Sequence, residues 1–148
     1  MIESHHIEEF KIKTYDTDFK HRLRIEALFN YFQEVAEIHS NHGNVGYIGM
    51  QRRNMIWILS KVRVHINALP KVNESIQIKT WSRGVDRLFA YRDFSVTNGN
   101  NKNIINASSA WLIIDKIKHR PIRPEIFADG FPTKNQQSDK FCFNKIIY

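Results

Sequence analysis

Arg22-Leu-Arg-Ile-Glu-Ala-Leu-Phe-Asn-Tyr-Phe-Gln-Glu-Val-Ala-Glu-Ile-His39 is the stretch on which the fold turns. Its apolar residues Ile25, Leu28, Phe29, Phe32, Val35 and Ala36 recur at i, i+3, i+4, i+7 spacing, which gathers them on one stripe of a helix wide enough to need burial. Asn41, His42, Gly43 and Asn44 follow as breakers, Gly43 being suited to the left-handed position after the last turn. No other stretch carries a helical period of comparable length. A solitary helix cannot bury its stripe against a second helix, so a sheet must cover it.

The rest of the chain supplies that sheet. Residues 7–15 alternate Ile7, Glu9, Lys11 and Lys13 with Glu8, Phe10, Ile12 and Thr14, a weak first strand leading into a polar loop at 16–21. After a short helical turn expected at 45–52, residues 55–66 alternate clearly. Ile56, Ile58, Ser60, Val62, Val64 and Ile66 face one way, and Trp57, Leu59, Lys61, Arg63 and His65 the other, which predicts a central strand. Asn67 to Pro70 closes it. The next strand, at 75–83, puts Ile76, Ile78 and Thr80 opposite Gln77, Lys79 and Trp81, and 84–87 reads as a turn. A strand at 88–98 and its answer at 104–117 flank Asn98-Gly99-Asn100-Asn101, the strongest hairpin signal present, because these residues tolerate positive φ. Pro124 to Ala128 allows a short helix, 130–139 is polar and linker-like, and 141–148 would begin a further strand. Antiparallel neighbours joined by short turns, with one helix early in the order, give an α+β domain whose curved antiparallel sheet wraps one long helix.

At 148 residues the chain is expected to form one domain with a core that needs neither disulfide nor metal. Glu3, His5, His6, Glu8 and Glu9 stand where a secretory signal would need an apolar run. No window approaches the roughly 20 apolar residues of a membrane span, so a cytoplasmic protein is expected. The net charge of +7 would draw in an acidic partner. Basic residues concentrate at Arg52-Arg53, between Arg83 and Arg92, and between Lys116 and Arg123. No helix carries them in the dense row of a groove reader, so neither nucleic acid nor membrane is expected as a partner.

Searches for catalytic patterns exclude several chemistries. There is no Gly-rich phosphate loop, Cys pair for zinc, Gly-x-Ser-x-Gly elbow or His-Glu-x-x-His pair. The single cysteine, Cys142, reads as a small hydrophobe. His5, His6, His21, His39, His42 and His65 are scattered over ends, loops and element borders, and no metal or cofactor is expected. Asp16 and Asp18 either bring a carboxylate to the helix N-terminus or sit in a solvated loop that complements the helix dipole. Glu34 and His39 lie at the border of the apolar stripe, where buried, hydrogen-bonded polar residues are common.

Several blocks in one order carry a resemblance to a known family. They are Ile25-Glu26, Leu28, Asn30, Phe32-Gln33-Glu34, Ala36 and His39; Ile56-Trp57 opening a strand; Trp81; Arg92-Asp93-Phe94; and Ala107-Ser108-Ser109-x-Trp111 running on to Lys116 and Arg120. Together, over about residues 7–127, they resemble the N-terminal half of the acyl-acyl carrier protein (acyl-ACP) thioesterases of plants and bacteria. The resemblance implies a hot-dog fold over 1–129, with 130–148 as the linker and the start of a second hot-dog domain. In such proteins the first domain shapes the pocket for the fatty acyl chain. The second holds an Asp-x-Asn-x-His catalytic motif, which does not occur here, so no catalytic residue is assigned.

What the resemblance implies for the site combines with the residue reading. The helix stripe, through Leu28 and Phe32, is expected to line the acyl pocket, and each buried methylene would contribute about 0.8 kcal/mol. By match to the family's chain-length positions, Ala90, Arg92 and Lys118 would border the tunnel. Alternatively Ala90 is sheet packing and Arg92 pairs with a nearby acid. Trp57, Trp81 and Trp111 are expected in the core. The implied partner is acidic acyl carrier protein with its fatty acyl thioester, met by Arg52, Arg53, Lys116 and Lys118. A second hot-dog unit, from another copy or a tandem domain, would complete the assembly. Two other readings stand beside this one: a stand-alone homodimeric thioesterase using Asp16, Asp18 or Glu34 as base, and a non-catalytic acyl-binding module.

Overall fold

The computed structural model of the chain describes residues 3–130. One long helix, α1 (Ile25–His42), lies in the hollow of a curved antiparallel sheet, the hot-dog arrangement that its stripe demanded. The buried face runs through Ala27, Leu28, Phe32, Val35, Ala36 and His39, while Ile25 is left exposed and Phe29 half-buried. Arg24 gives no side-chain cap. The loop before the helix anchors it instead, since the Arg24 amide donates to the Asp16 carbonyl at 2.9 Å and its guanidinium to the Tyr15 carbonyl at 2.9 Å. Glu26 in the first turn suits the helix dipole.

The helix ends one residue later than Gly43 suggested. Gly43 keeps φ −95°, and Asn44 takes the left-handed position at φ 58°, which asparagine tolerates through its short polar side chain. A second helix, α2 (Tyr47–Arg52), then folds back tightly. A side chain at Gly46 would strike Asn41, and one at Gly49 would strike the Asn44 carbonyl, so the close approach depends on both glycines.

The strands are β1 (His5–Lys11), β2 (Met55–Ile66), β3 (Ser75–Asp86), β4 (Phe89–Asn98) and β5 (Asn103–Asp115), in the order β1-β3-β4-β5-β2, with β6 (Arg120–Ile122) on the end of β5. Four sequence expectations are corrected. The strand at 55–66 is at the edge of this order and not central, because period-2 alternation reports one wet face and says nothing about how many neighbours a strand has. Its faces also switch at a bulge between Leu59 and Lys61: Trp57 packs on one apolar cluster, Val64 on the other, and Ile56 and Ile58 remain 39% and 44% exposed. The first strand covers His5–Lys11, and Thr14–Asp16 is a 3-10 turn. The turn expected at 84–87 lies further on, where Arg87 has φ 55°; Gly84, at φ 123°, sits in a bulge inside β3. β6 carried no sequence signal. The Asn98–Asn101 hairpin forms as expected, with the Asn98 side-chain oxygen accepting the amides of Asn100 and Lys102. The linker and strand expected after Gly130, and Cys142, lie outside the described residues.

Along the hollow face, paired residues form successive rows across β3, β4 and β5. The first is Ile78, Val96 and Ile105; the second Thr80, Phe94 and Ala107; the third Ser82, Arg92 and Ser109; and the fourth joins Ala90 to Trp111. The first two rows, with Ile76, pack against Leu28, Phe32 and Val35 to make the main core, where Phe32 stacks on Phe94 at 4.4 Å between ring centres. A smaller cluster of Val45, Met50 and Ile113 lies under α2. Between the two the packing opens.

Candidate functional site

The opening is a cavity of about 450 Å³ between the second half of α1, α2 and the third and fourth rows of the sheet. That volume is within the range of small-molecule sites. Ala36, Met50, Met55, Trp57, Ala90 and Trp111 supply most of its apolar wall. Its buried end is formed by Ser82, Ala90 and Arg92, whereas Gln33, Glu34, Tyr47 and Ile56, all exposed, stand around its rim. The space follows from the sequence. Where the first two rows carry isoleucine, valine and phenylalanine, the next offer serine and alanine, and Ala36 is the facing helix residue.

Arg92 divides core from cavity and is only 7% exposed. Its Nη1 donates to His39 Nδ1 at 3.0 Å and to Thr80 Oγ1 at 3.1 Å, and Nη2 reaches Ser40 Oγ at 3.4 Å. His39 Nε2 lies 2.9 Å from the Glu3 carbonyl, so the ring donates there and accepts from the guanidinium. Burial, which the Glu3 carbonyl partly opposes and the Arg92 charge reinforces, pulls the His39 pKa down to about 4 and keeps the ring neutral. Burial also lowers Arg92 to about 10, which leaves it charged at neutral pH. No carboxylate among the described residues pairs with it, contrary to the alternative that it neutralises a nearby acid.

The residues singled out from sequence separate into groups. Ala90 and Arg92 meet on the cavity wall. Leu28 and Phe32 lie in the filled core, and Lys118 is exposed in the turn between β5 and β6, where its amide donates to Asp115. Of the three candidate bases, Glu34 lines the cavity. Asp16 accepts from the Tyr31 hydroxyl at 2.5 Å, and Asp18 is tied to Arg22 in the loop. Trp81 is buried as expected, but Trp57 and Trp111 are half-buried and face the cavity, their indole N–H groups satisfied by the Val45 carbonyl and the Ser109 hydroxyl. Sequence reasoning did not reach Ser82, Tyr47 or Met50. For Ser82 a signal existed: it continues the buried series Ile76, Ile78, Thr80, and a small polar residue there marks where the apolar row stops.

Of the basic groups, Arg53 donates to the carbonyls of Asn44 and Gly49 and lies over Phe127, while Arg83 pairs with the buried Asp93. Arg52, Lys116 and Lys118 are exposed at one end of the molecule, where the Lys116 amide donates to the Asn54 carbonyl at 2.8 Å.

Solved structures share this architecture. An acyl-ACP thioesterase from Bacteroides thetaiotaomicron superposes with a TM-score of 0.77 at 27% identity, over 80% of this chain and 49% of that one. A DHNA-CoA thioesterase from Staphylococcus aureus does so at 0.75 and 18% identity, over 84% of this chain and 85% of that one. The class is therefore that of hot-dog domains. The palmitoyl-acyl carrier protein thioesterase of Gossypium hirsutum chloroplasts is 26% identical over 151 residues, which span 90% of this chain and 36% of that protein. The family model for the acyl-ACP thioesterase N-terminal domain matches residues 3–129, and the chain belongs to that family. It spans about a third of the length of that curated relative.

Proposed function

We propose that this chain is the acyl-pocket half of an acyl-ACP thioesterase of fatty acid biosynthesis, with the cavity beside α1 receiving the fatty acyl chain. The observation that carries the reading is the mostly apolar 450 Å³ space beside a packed cluster of buried apolar side chains. On this reading residues 1–129 are the first of two hot-dog units, 130–148 lead toward the second, and the groups that hydrolyse the thioester come from outside the described residues. Ala90 and Arg92 touch the chain. Lys118 acts away from the cavity wall, and with Arg52 and Lys116 it meets the acidic carrier protein. Leu28 and Phe32 support the pocket from behind. No helix of the described residues is long and apolar enough to cross a membrane, which fits the cytoplasmic location we assign.

Organic extraction of the purified chain followed by mass spectrometry tests the pocket: fatty acid should be recovered in near-stoichiometric amount, and its absence together with failure to bind added acyl thioester would refute the reading. Two observations favour a second reading, a stand-alone homodimeric hydrolase. Glu34 is the one candidate base on the cavity rim, and the Staphylococcus aureus neighbour is a thioesterase chain of about one unit. That reading requires turnover of acyl thioesters by the chain alone, lost in Glu34→Gln.

A further inference from the structure

Arg92 is poorly matched to a plain hydrocarbon. A guanidinium has five N–H donors. Two from Nη1 go to His39 and Thr80 and one from Nη2 makes the long contact to Ser40, which leaves Nε–H and the second Nη2–H without a partner among the described residues. The three groups that do meet it are neutral. Directly across the strand pair stands Ser82, also buried and on the cavity wall, whose hydroxyl has no side-chain partner among the described residues. Thus the buried end of an otherwise apolar pocket presents a charged donor with unfilled N–H groups beside a hydroxyl.

An alkyl chain pressed against this end would strip water from a cation and give nothing in return. An oxygen acceptor would fill the vacant donors, and hydrogen bonds to charged groups are the stronger ones. A carboxylate is disfavoured as the acceptor because Glu34 and Glu37 line the same cavity. Resting on the function proposed above, we propose that this pocket selects acyl chains carrying a neutral oxygen, a hydroxyl or keto group, which Arg92 and Ser82 receive. Sites built to hydrogen-bond a substrate group discriminate strongly against the analogue lacking it, since their own polar atoms are then left unpaired.

Calorimetric titration of the full chain with amide-linked acyl-pantetheine analogues, which cannot be hydrolysed, reads this directly. The probes are the dodecanoyl analogue and its 3-hydroxy and 12-hydroxy counterparts. At least one hydroxylated probe should bind about tenfold or more tightly than the plain one, and Arg92→Met should erase that ratio. If the plain probe binds as well as both hydroxylated ones, the proposal fails and the acyl pocket stands. Equal weakening of all three probes by Arg92→Met would also overturn it, because Arg92 would then be meeting the head group common to them. If none of the three binds, the pocket reading itself falls. Should Arg92→Met not fold, the wild-type ratio still decides, and Ser82→Ala should reduce it.

Discussion

The two halves of α1 face the same sheet and do opposite things. Around Leu28 and Phe32 the helix meets rows of isoleucine, valine and phenylalanine and the interface is filled. Two turns later, around Ala36 and Ser40, it meets Ser82, Ala90 and Arg92 across open space. The helix runs on unbroken, while β2 and β3 carry bulges beside the open half, between Leu59 and Lys61 and between Ser82 and Gly84, so side-chain volume and charge act together with a local change of strand register. The binding cavity does not come from a break in the helix. It is made where successive inward positions along β3 and β4 change from large and apolar to small or polar, and it is held open by a buried cation that cannot collapse onto its neighbours without losing hydrogen bonds.

Truncation at each end gives the sharpest test. Phe32→Ala empties a stacked site in the filled half and should cost about 3–5 kcal/mol of stability, seen as a large fall in the denaturation midpoint, with acyl binding lost only through unfolding. Ala90→Leu adds bulk where there is room, so the midpoint should move little. Bound chains should shorten by roughly three methylenes, or weaken by ~2 kcal/mol at fixed length. If Ala90→Leu destabilised as strongly as Phe32→Ala, the cavity would be an extension of the core and the contrast between the halves would disappear.

A smaller effect comes from the boundary between the halves. His39 titrates from 6.5 in the unfolded chain to about 4 in the fold. Between those values the unfolded chain binds more protons, so stability rises with pH across that window. The contribution is complete above about pH 6.5 and is lost as pH falls toward 4, at most ~3 kcal/mol. Asp93, whose pKa burial raises, works in the opposite sense. The comparison is therefore the difference between wild-type and His39→Gln stability curves, in which the Asp93 contribution cancels. A flat difference from pH 4 to 6.5 would show that His39 does not stay neutral beside Arg92.

The smallest effect belongs to the surface. If Arg52, Lys116 and Lys118 steer an acidic carrier protein, raising salt should slow its association while dissociation changes little, and Lys116→Glu with Lys118→Glu should reduce the salt slope. A salt-independent association rate would leave that end of the molecule without this role.

Much of this was legible in the sequence. The i, i+3, i+4 stripe from Leu28 to Ala36, the Asn98–Asn101 turn and the alternation of β3 each express a local rule: a helix must bury one face, a tight hairpin needs residues that tolerate positive φ, and a half-buried strand repeats every two residues. Those rules fixed one helix, an antiparallel sheet and the wrap between them, and the family blocks pointed to the acyl pocket half. Tertiary structure alone decided the rest. The edge position of β2 depends on pairing Met55–Ile66 with residues some forty to sixty positions away, and the bulge at Leu59 reverses which of its residues face inward. The lack of a paired carboxylate at Arg92 among the described residues, and the gathering of Ser82, Ala90 and Trp111 around one space, come from register between strands. Register is set by the sum of many weak contacts distributed over the sheet, so no single stretch of sequence displays it.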